Sequence, residues 1–69
     1  MKISARNTFP GTITGVSNGP VSTEVTIRIA PEVEIVSVIT TNSAKKLKLK
    51  EGQKAYAIIK SDSVIVGTD

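Results

Sequence analysis

An all-β fold is what this sequence predicts, on three observations. Val, Ile and Thr dominate it, and their branched side chains fit a pleated surface. Its clearest hydrophobic period is two, and Gly, Pro and Asn residues break the chain at short intervals.

Taken in order, Ile3 to Asn7 and Gly11 to Ser17 read as extended segments on either side of Phe9-Pro10-Gly11. The second does not alternate cleanly, because Gly15 lies between Ile13 and Val16; a glycine bulge would reset the face. Asn18-Gly19-Pro20 is a turn triplet. After it, Val21, Thr23, Val25, Ile27 and Ile29 alternate with Ser22, Glu24, Thr26 and Arg28, the pattern of a strand with one apolar and one wet face. Ala30-Pro31-Glu32 turns the chain again.

From Val33 to Thr40 both faces are apolar: Val33, Ile35 and Ile39 on one, Val36 and Val38 on the other. In so short a chain a strand that wants cover on both sides points to a subunit interface, with a bent barrel strand as the alternative. Thr41-Asn42-Ser43 then offers N-cap residues to Ala44-Lys45-Lys46-Leu47, and the lysines suit a helix C-terminus, so one short helical turn is expected. Lys50-Glu51-Gly52 leads into a strand from Gln53 to Lys60, with Ala55, Ala57 and Ile59 opposed to Tyr56 and Ile58, and Ser63 to Gly67 reads as a last short strand. Five or six short strands with one helical turn between the third and fourth main ones describe a small OB-like Greek-key β-barrel.

Composition narrows function. The chain has 69 residues and neither Cys nor His, so it has no disulfide and lacks the two commonest zinc ligands. A core of this size rarely supplies more than about 3–5 kcal/mol, which leaves oligomerisation as the means of stabilisation. Cysteine and imidazole catalysis are excluded outright, and the six carboxylates, Glu24, Glu32, Glu34, Glu51, Asp62 and Asp69, are scattered singly. Binding is therefore expected, and catalysis is not. No apolar run approaches a membrane span, and Met1-Lys2-Ile3-Ser4 is no signal peptide, so a cytoplasmic location is expected. A net charge of +3 admits nucleic acid, an anionic surface or a small anion. Nucleic acid is disfavoured, because single-strand binders use aromatic platforms and only Phe9 and Tyr56 are present.

Three polar clusters could carry binding. Ser4-Ala5-Arg6-Asn7 combines a hydroxyl, one of two arginines and an amide, donors that fit a tetrahedral oxyanion. A solvated first strand uses the same residues and is the simpler reading of the spacing alone. Thr40-Thr41-Asn42-Ser43 heads the helical turn, where helix capping needs these residue types whether or not an anion binds. Lys60-Ser61-Asp62-Ser63 is an ordinary turn composition whose Lys60 stands at a strand end. Lys45, Lys46, Lys48, Lys50 and Lys54 form a charge run that suits a soluble face.

The ordered set Met1 to Asn7 (Met-Lys-Ile-Ser-Ala-Arg-Asn), Gly11-Thr12-Ile13, Ser22-Thr23-Glu24-Val25, Ile39-Thr40-Thr41-Asn42-Ser43, Lys48-Leu49-Lys50-Glu51-Gly52, Ala55 to Ser61 and Val64-Ile65-Val66 resembles the molbindin, or Mop/TOBE-type, family of molybdate- and tungstate-binding proteins. The sequence departs from the family pattern at Phe9-Pro10, Pro20 and Pro31, which affects turns more than the implied site. The resemblance implies one oxyanion-binding domain over residues 1–69 and a hexamer built as a trimer of dimers. Molybdate or tungstate would be held at subunit interfaces for cytoplasmic storage and homeostasis, with neither nucleic acid nor membrane as partner. It places the ligand role on Ser4, Ala5, Arg6, Lys60 and Ser61, with Thr40 and Ser43, and a second oxyanion site near Ser22, Thr23 and Glu24. No bare metal cation is implied. The alternative is an oxyanion-sensing module of a transporter or regulator, which the short length of the chain argues against.

Overall fold

The computed structural model describes residues 1–69. Its elements are β1 (Asn7–Asn18), β2 (Ser22–Ala30), β3 (Val33–Thr40), α1 (Thr41–Lys46), β4 (Lys54–Ile59) and a 3-10 turn over Ser61–Ser63. One antiparallel sheet runs in the order β3-β2-β1-β4.

β1 shapes the sheet because its two halves have different partners. Asn7 to Thr12 pair with β4, and Thr12 to Asn18 pair with β2. The sheet curls into an OB-like half-barrel whose edges β3 and β4 face each other across a slot of about 430 Å³, lined by Ile35 and Val36 on one side and Tyr56 and Ile58 on the other. Gly11 lies at the tight part of the curl: a Cβ there would stand 2.5 Å from the Arg28 carbonyl oxygen. The expected bulge is present. The register steps from Ile13↔Ile27 to Gly15↔Thr26, which leaves Thr14 as the extra residue and lets Ile13 and Val16 both face the core.

Inside the curl, Ile13, Val25, Ile27 and Ala57 form the buried core. Only seven of 69 residues are buried, a small core for a chain of this length. The alternation read for Thr23, Val25 and Ile27 holds, and β3 keeps both apolar faces: Ile35 and Ile39 pack on the core while Val36 and Val38 remain 58% and 66% exposed.

Four details differ from the sequence reading. Val21 is exposed and precedes β2, because Gly19 N–H donates to the Ser22 carbonyl and the turn consumes it. The first strand begins at Asn7 and runs through Pro10, which is tolerated because this half of β1 pairs on one side only. Ile3 to Arg6 form no strand. The cap of α1 is Thr40, whose hydroxyl accepts from Ser43 N–H at 3.0 Å, so the helix starts at Thr41, inside the triplet read as caps. Ser63 to Gly67 find no strand partner, so four strands pair within one chain; Val64 is extended but Val64, Ile65 and Val66 are 51%, 94% and 85% exposed.

Candidate functional site

The β1–β4 ladder ends at Asn7↔Ile59, and Arg6 and Lys60 lie one step beyond it. There a concavity of about 330 Å³ opens, lined by Ser4, Ala5, Arg6, Lys60, Ser61 and Asp62. Antiparallel register is the reason that two segments from opposite ends of the sequence meet. The 3-10 turn fixes the far wall, with Ser63 N–H donating to the Lys60 carbonyl at 2.9 Å.

This corner holds two cations, Arg6 and Lys60, and one carboxylate, Asp62. The chain's one ion pair is elsewhere: Arg28 Nη2 lies 3.2 Å from Glu34 Oε2, which also accepts from Thr14 Oγ1 at 3.0 Å. Arg28 is therefore committed, while Arg6 and Lys60 form no ion pair, although Asp62 lines the same concavity. With the Ser4 and Ser61 hydroxyls they form a donor-rich pocket of the kind that receives a tetrahedral oxyanion. All of these residues are exposed apart from half-buried Ala5, so in one chain the pocket is open to water.

Five of the residues singled out from the sequence, Ser4, Ala5, Arg6, Lys60 and Ser61, thus share one pocket. Thr40 and Ser43 do not line it; they bond each other at the start of α1, where Thr40 Oγ1 donates to Ser43 Oγ at 2.8 Å. Ser22 and Glu24 are exposed on β2, whereas Thr23 is fully buried. Its hydroxyl lies 2.9 Å from that of Thr41 and 3.2 Å from the Asn18 side-chain oxygen, and Thr41 donates in turn to the Gly19 carbonyl at 2.7 Å. This polar knot ties the β1–β2 turn to α1. Asp62 is the pocket residue that the sequence reading left in an ordinary turn. Its only signal there was adjacency to Lys60-Ser61.

No group of His, Cys, Asp and Glu side chains suited to a metal cation exists in the chain, and no helix is long and apolar enough to cross a membrane.

The model of the TOBE domain matches residues 3–66. The chain is 51% identical over 69 residues to the molybdenum transport protein ModE of Herbaspirillum seropedicae, covering 100% of this chain and 26% of that protein. It is 42% identical over 69 residues to a probable molybdenum-pterin-binding protein of Haemophilus influenzae, with 100% of both chains covered. The chain thus spans about a quarter of the ModE relative and the full length of the other. Among solved structures, MopII from Clostridium pasteurianum matches with a TM-score of 0.91 at 37% identity, over 97% of this chain and 100% of that one. The cytoplasmic molybdate-binding protein ModG, solved with molybdate bound, matches with a TM-score of 0.82 at 38% identity, over 88% of this chain and 43% of that one.

Proposed function

This chain belongs to the TOBE-domain family, and on that premise we propose that it binds molybdate, with tungstate as a close substitute, for storage and homeostasis in the cytoplasm. The observation that carries the reading is the pocket at the end of the β1–β4 ladder, where Arg6 and Lys60, neither in an ion pair, line one concavity with the Ser4 and Ser61 hydroxyls and a single carboxylate, Asp62. Molybdate is a dianion with four oxygens that only accept hydrogen bonds, so it is held by donors and cations and not by metal ligands. Ser4, Arg6, Lys60 and Ser61 supply the donors, and Ala5 leaves room for the ion beside them. Sulfate shares the charge and shape of molybdate, so discrimination between the two rests on cavity size.

An open pocket of exposed cations holds an anion weakly, because water and salt screen it. A second copy is the cover that fits, and the assembly we propose is a hexamer arranged as a trimer of dimers, with Thr40 and Ser43 of neighbouring copies as further donors. Three features support it: the small core, the exposed Val36 and Val38 face of β3, and the exposed Val64-Ile65-Val66 tail. The slot between β3 and β4 has two unpaired edges and apolar walls, and the tail of another copy has the chemistry to fill it as a strand. A second oxyanion site at Ser22, Thr23 and Glu24 would have to use Ser22 and the backbone, since the Thr23 hydroxyl is engaged.

A regulatory module is the second reading, favoured by the 51% identity to the ModE protein over one quarter of that protein's length. Both readings require oxyanion binding, whereas a nucleic-acid binder does not. Calorimetric titration of the purified protein with molybdate, tungstate, sulfate and single-stranded DNA tests the oxyanion binding that both share: oxyanion heats without a DNA response support the proposal, and DNA binding without oxyanion heats contradicts it.

A further inference from the structure

Asp62 is at odds with the rest of the pocket. It lines the same concavity as Arg6 and Lys60, yet its carboxylate takes part in none of the side-chain hydrogen bonds of the chain, and the one ion pair is Arg28–Glu34. It does not cap the 3-10 turn either; that turn starts at Lys60 with no side-chain cap bond. The turn itself is fixed by backbone bonds from Ser63 to Lys60 and from Val64 to Ser61, so Asp62 is held at the pocket without any structural bond that its side chain makes.

We propose that Asp62 is a selectivity residue of this pocket, lowering its affinity for fully ionised oxyanions relative to oxyanions that carry a proton. The inference rests on the reading of the pocket as an oxyanion site. An ionised carboxylate can only accept a hydrogen bond. Molybdate, tungstate and sulfate at neutral pH have no proton to give, so beside Asp62 they meet a second acceptor of like charge, and the two repel. Inorganic phosphate at the same pH always carries at least one proton and can donate it to Asp62. The carboxylate thereby reduces the net cationic charge that faces a dianion from two to one, which keeps the bound ion exchangeable. It cannot separate molybdate from sulfate, which it disfavours alike.

The test uses the full chain and its Asp62→Asn variant, titrated calorimetrically with sodium molybdate, sodium sulfate and inorganic phosphate at low and at high salt, with circular dichroism to verify the fold. Asp62 has no bonds to lose, so the variant should fold as the parent does. Asp62→Asn is expected to tighten molybdate and sulfate by about threefold to tenfold at low salt, less at high salt, and to leave phosphate unchanged or weaker. Unchanged or weaker molybdate and sulfate binding would overturn the proposal, and so would an equal gain for phosphate, which would reduce Asp62 to a generic charge. A parent protein that binds sulfate but not molybdate contradicts the molybdate reading alone, and the Asp62 comparison is then decided on sulfate and phosphate. If neither protein binds any of the three ions, both readings fall.

Discussion

The hydroxyls of Thr23 and Thr41 lie 2.9 Å apart inside the protein, joining the middle of the sheet to the first turn of α1. Thr41 has one proton and directs it at the Gly19 carbonyl at 2.7 Å, and the single Thr23 proton faces two acceptors, the Thr41 hydroxyl oxygen at 2.9 Å and Asn18 Oδ1 at 3.2 Å. Replacing each with Val keeps the shape and removes the hydroxyl. Thr41→Val strands the Gly19 carbonyl, while Thr23 keeps Asn18 Oδ1 as an acceptor, and should cost about 1–3 kcal/mol; Thr23→Val leaves the Thr41–Gly19 bond intact and should cost about 1 kcal/mol. Urea denaturation of the two variants measures the order, and a Thr23→Val loss larger than that of Thr41→Val would contradict the Thr41–Gly19 bond as the stronger tie.

Gly11 and Gly15 should respond differently to the same added methyl group. At Gly11 the new Cβ would meet the Arg28 carbonyl oxygen at 2.5 Å and Ile27 Cγ2 at 2.8 Å, whereas at Gly15 the nearest atoms lie at 3.7 Å. Gly11→Ala must push β1 away from β2 and should destabilise by about 1–3 kcal/mol. Gly15→Ala should be tolerated with a much smaller change, and thermal melts of both variants are the measurement.

Much of this was legible in the sequence, for identifiable reasons. The alternation Thr23, Val25, Ile27 named the inward face of β2, since a period of two leaves little choice of side. Gly15 signalled the bulge because Ile13 and Val16 could face inward together only through an extra residue. The start of β1 and the fate of Ser63 to Gly67 were not legible. Strand propensity marks segments that want partners, but only register says whether a partner exists in the same chain. The pocket shows the same division. Ser4, Arg6, Lys60 and Ser61 carry recognisable chemistry singly, yet their meeting depends on the pairing Asn7↔Ile59. Asp62 reads as part of an ordinary turn because Ser and Asp bond their own backbone, and its place in one pocket with Arg6 exists only in the fold.

β3 provides the test of assembly. Val36 and Val38 are 58% and 66% exposed on one chain. If a second copy covers them, Val36→Glu buries an unpaired charge at the contact and should dissociate or unfold the protein. Size-exclusion chromatography with light scattering should find about six chains per particle for the parent and fewer, or aggregate, for the variant. A stable folded monomer of the parent at micromolar concentration, or an assembly indifferent to Val36→Glu, would contradict the interface.

The most direct test of the central claim is calorimetric titration of molybdate into the parent protein, Arg6→Ala and Lys45→Ala, with the assembly size of each verified. Arg6 lines the pocket and forms no ion pair, while Lys45 lies in the exposed lysine run. Arg6→Ala should weaken molybdate binding by about 1.5–3 kcal/mol with the oligomer intact, as expected for loss of a charged hydrogen bond. Lys45→Ala should cause only a small, salt-dependent loss. Equal and small losses at both positions would show diffuse attraction to a basic surface and would contradict a built oxyanion site at the end of the β1–β4 ladder.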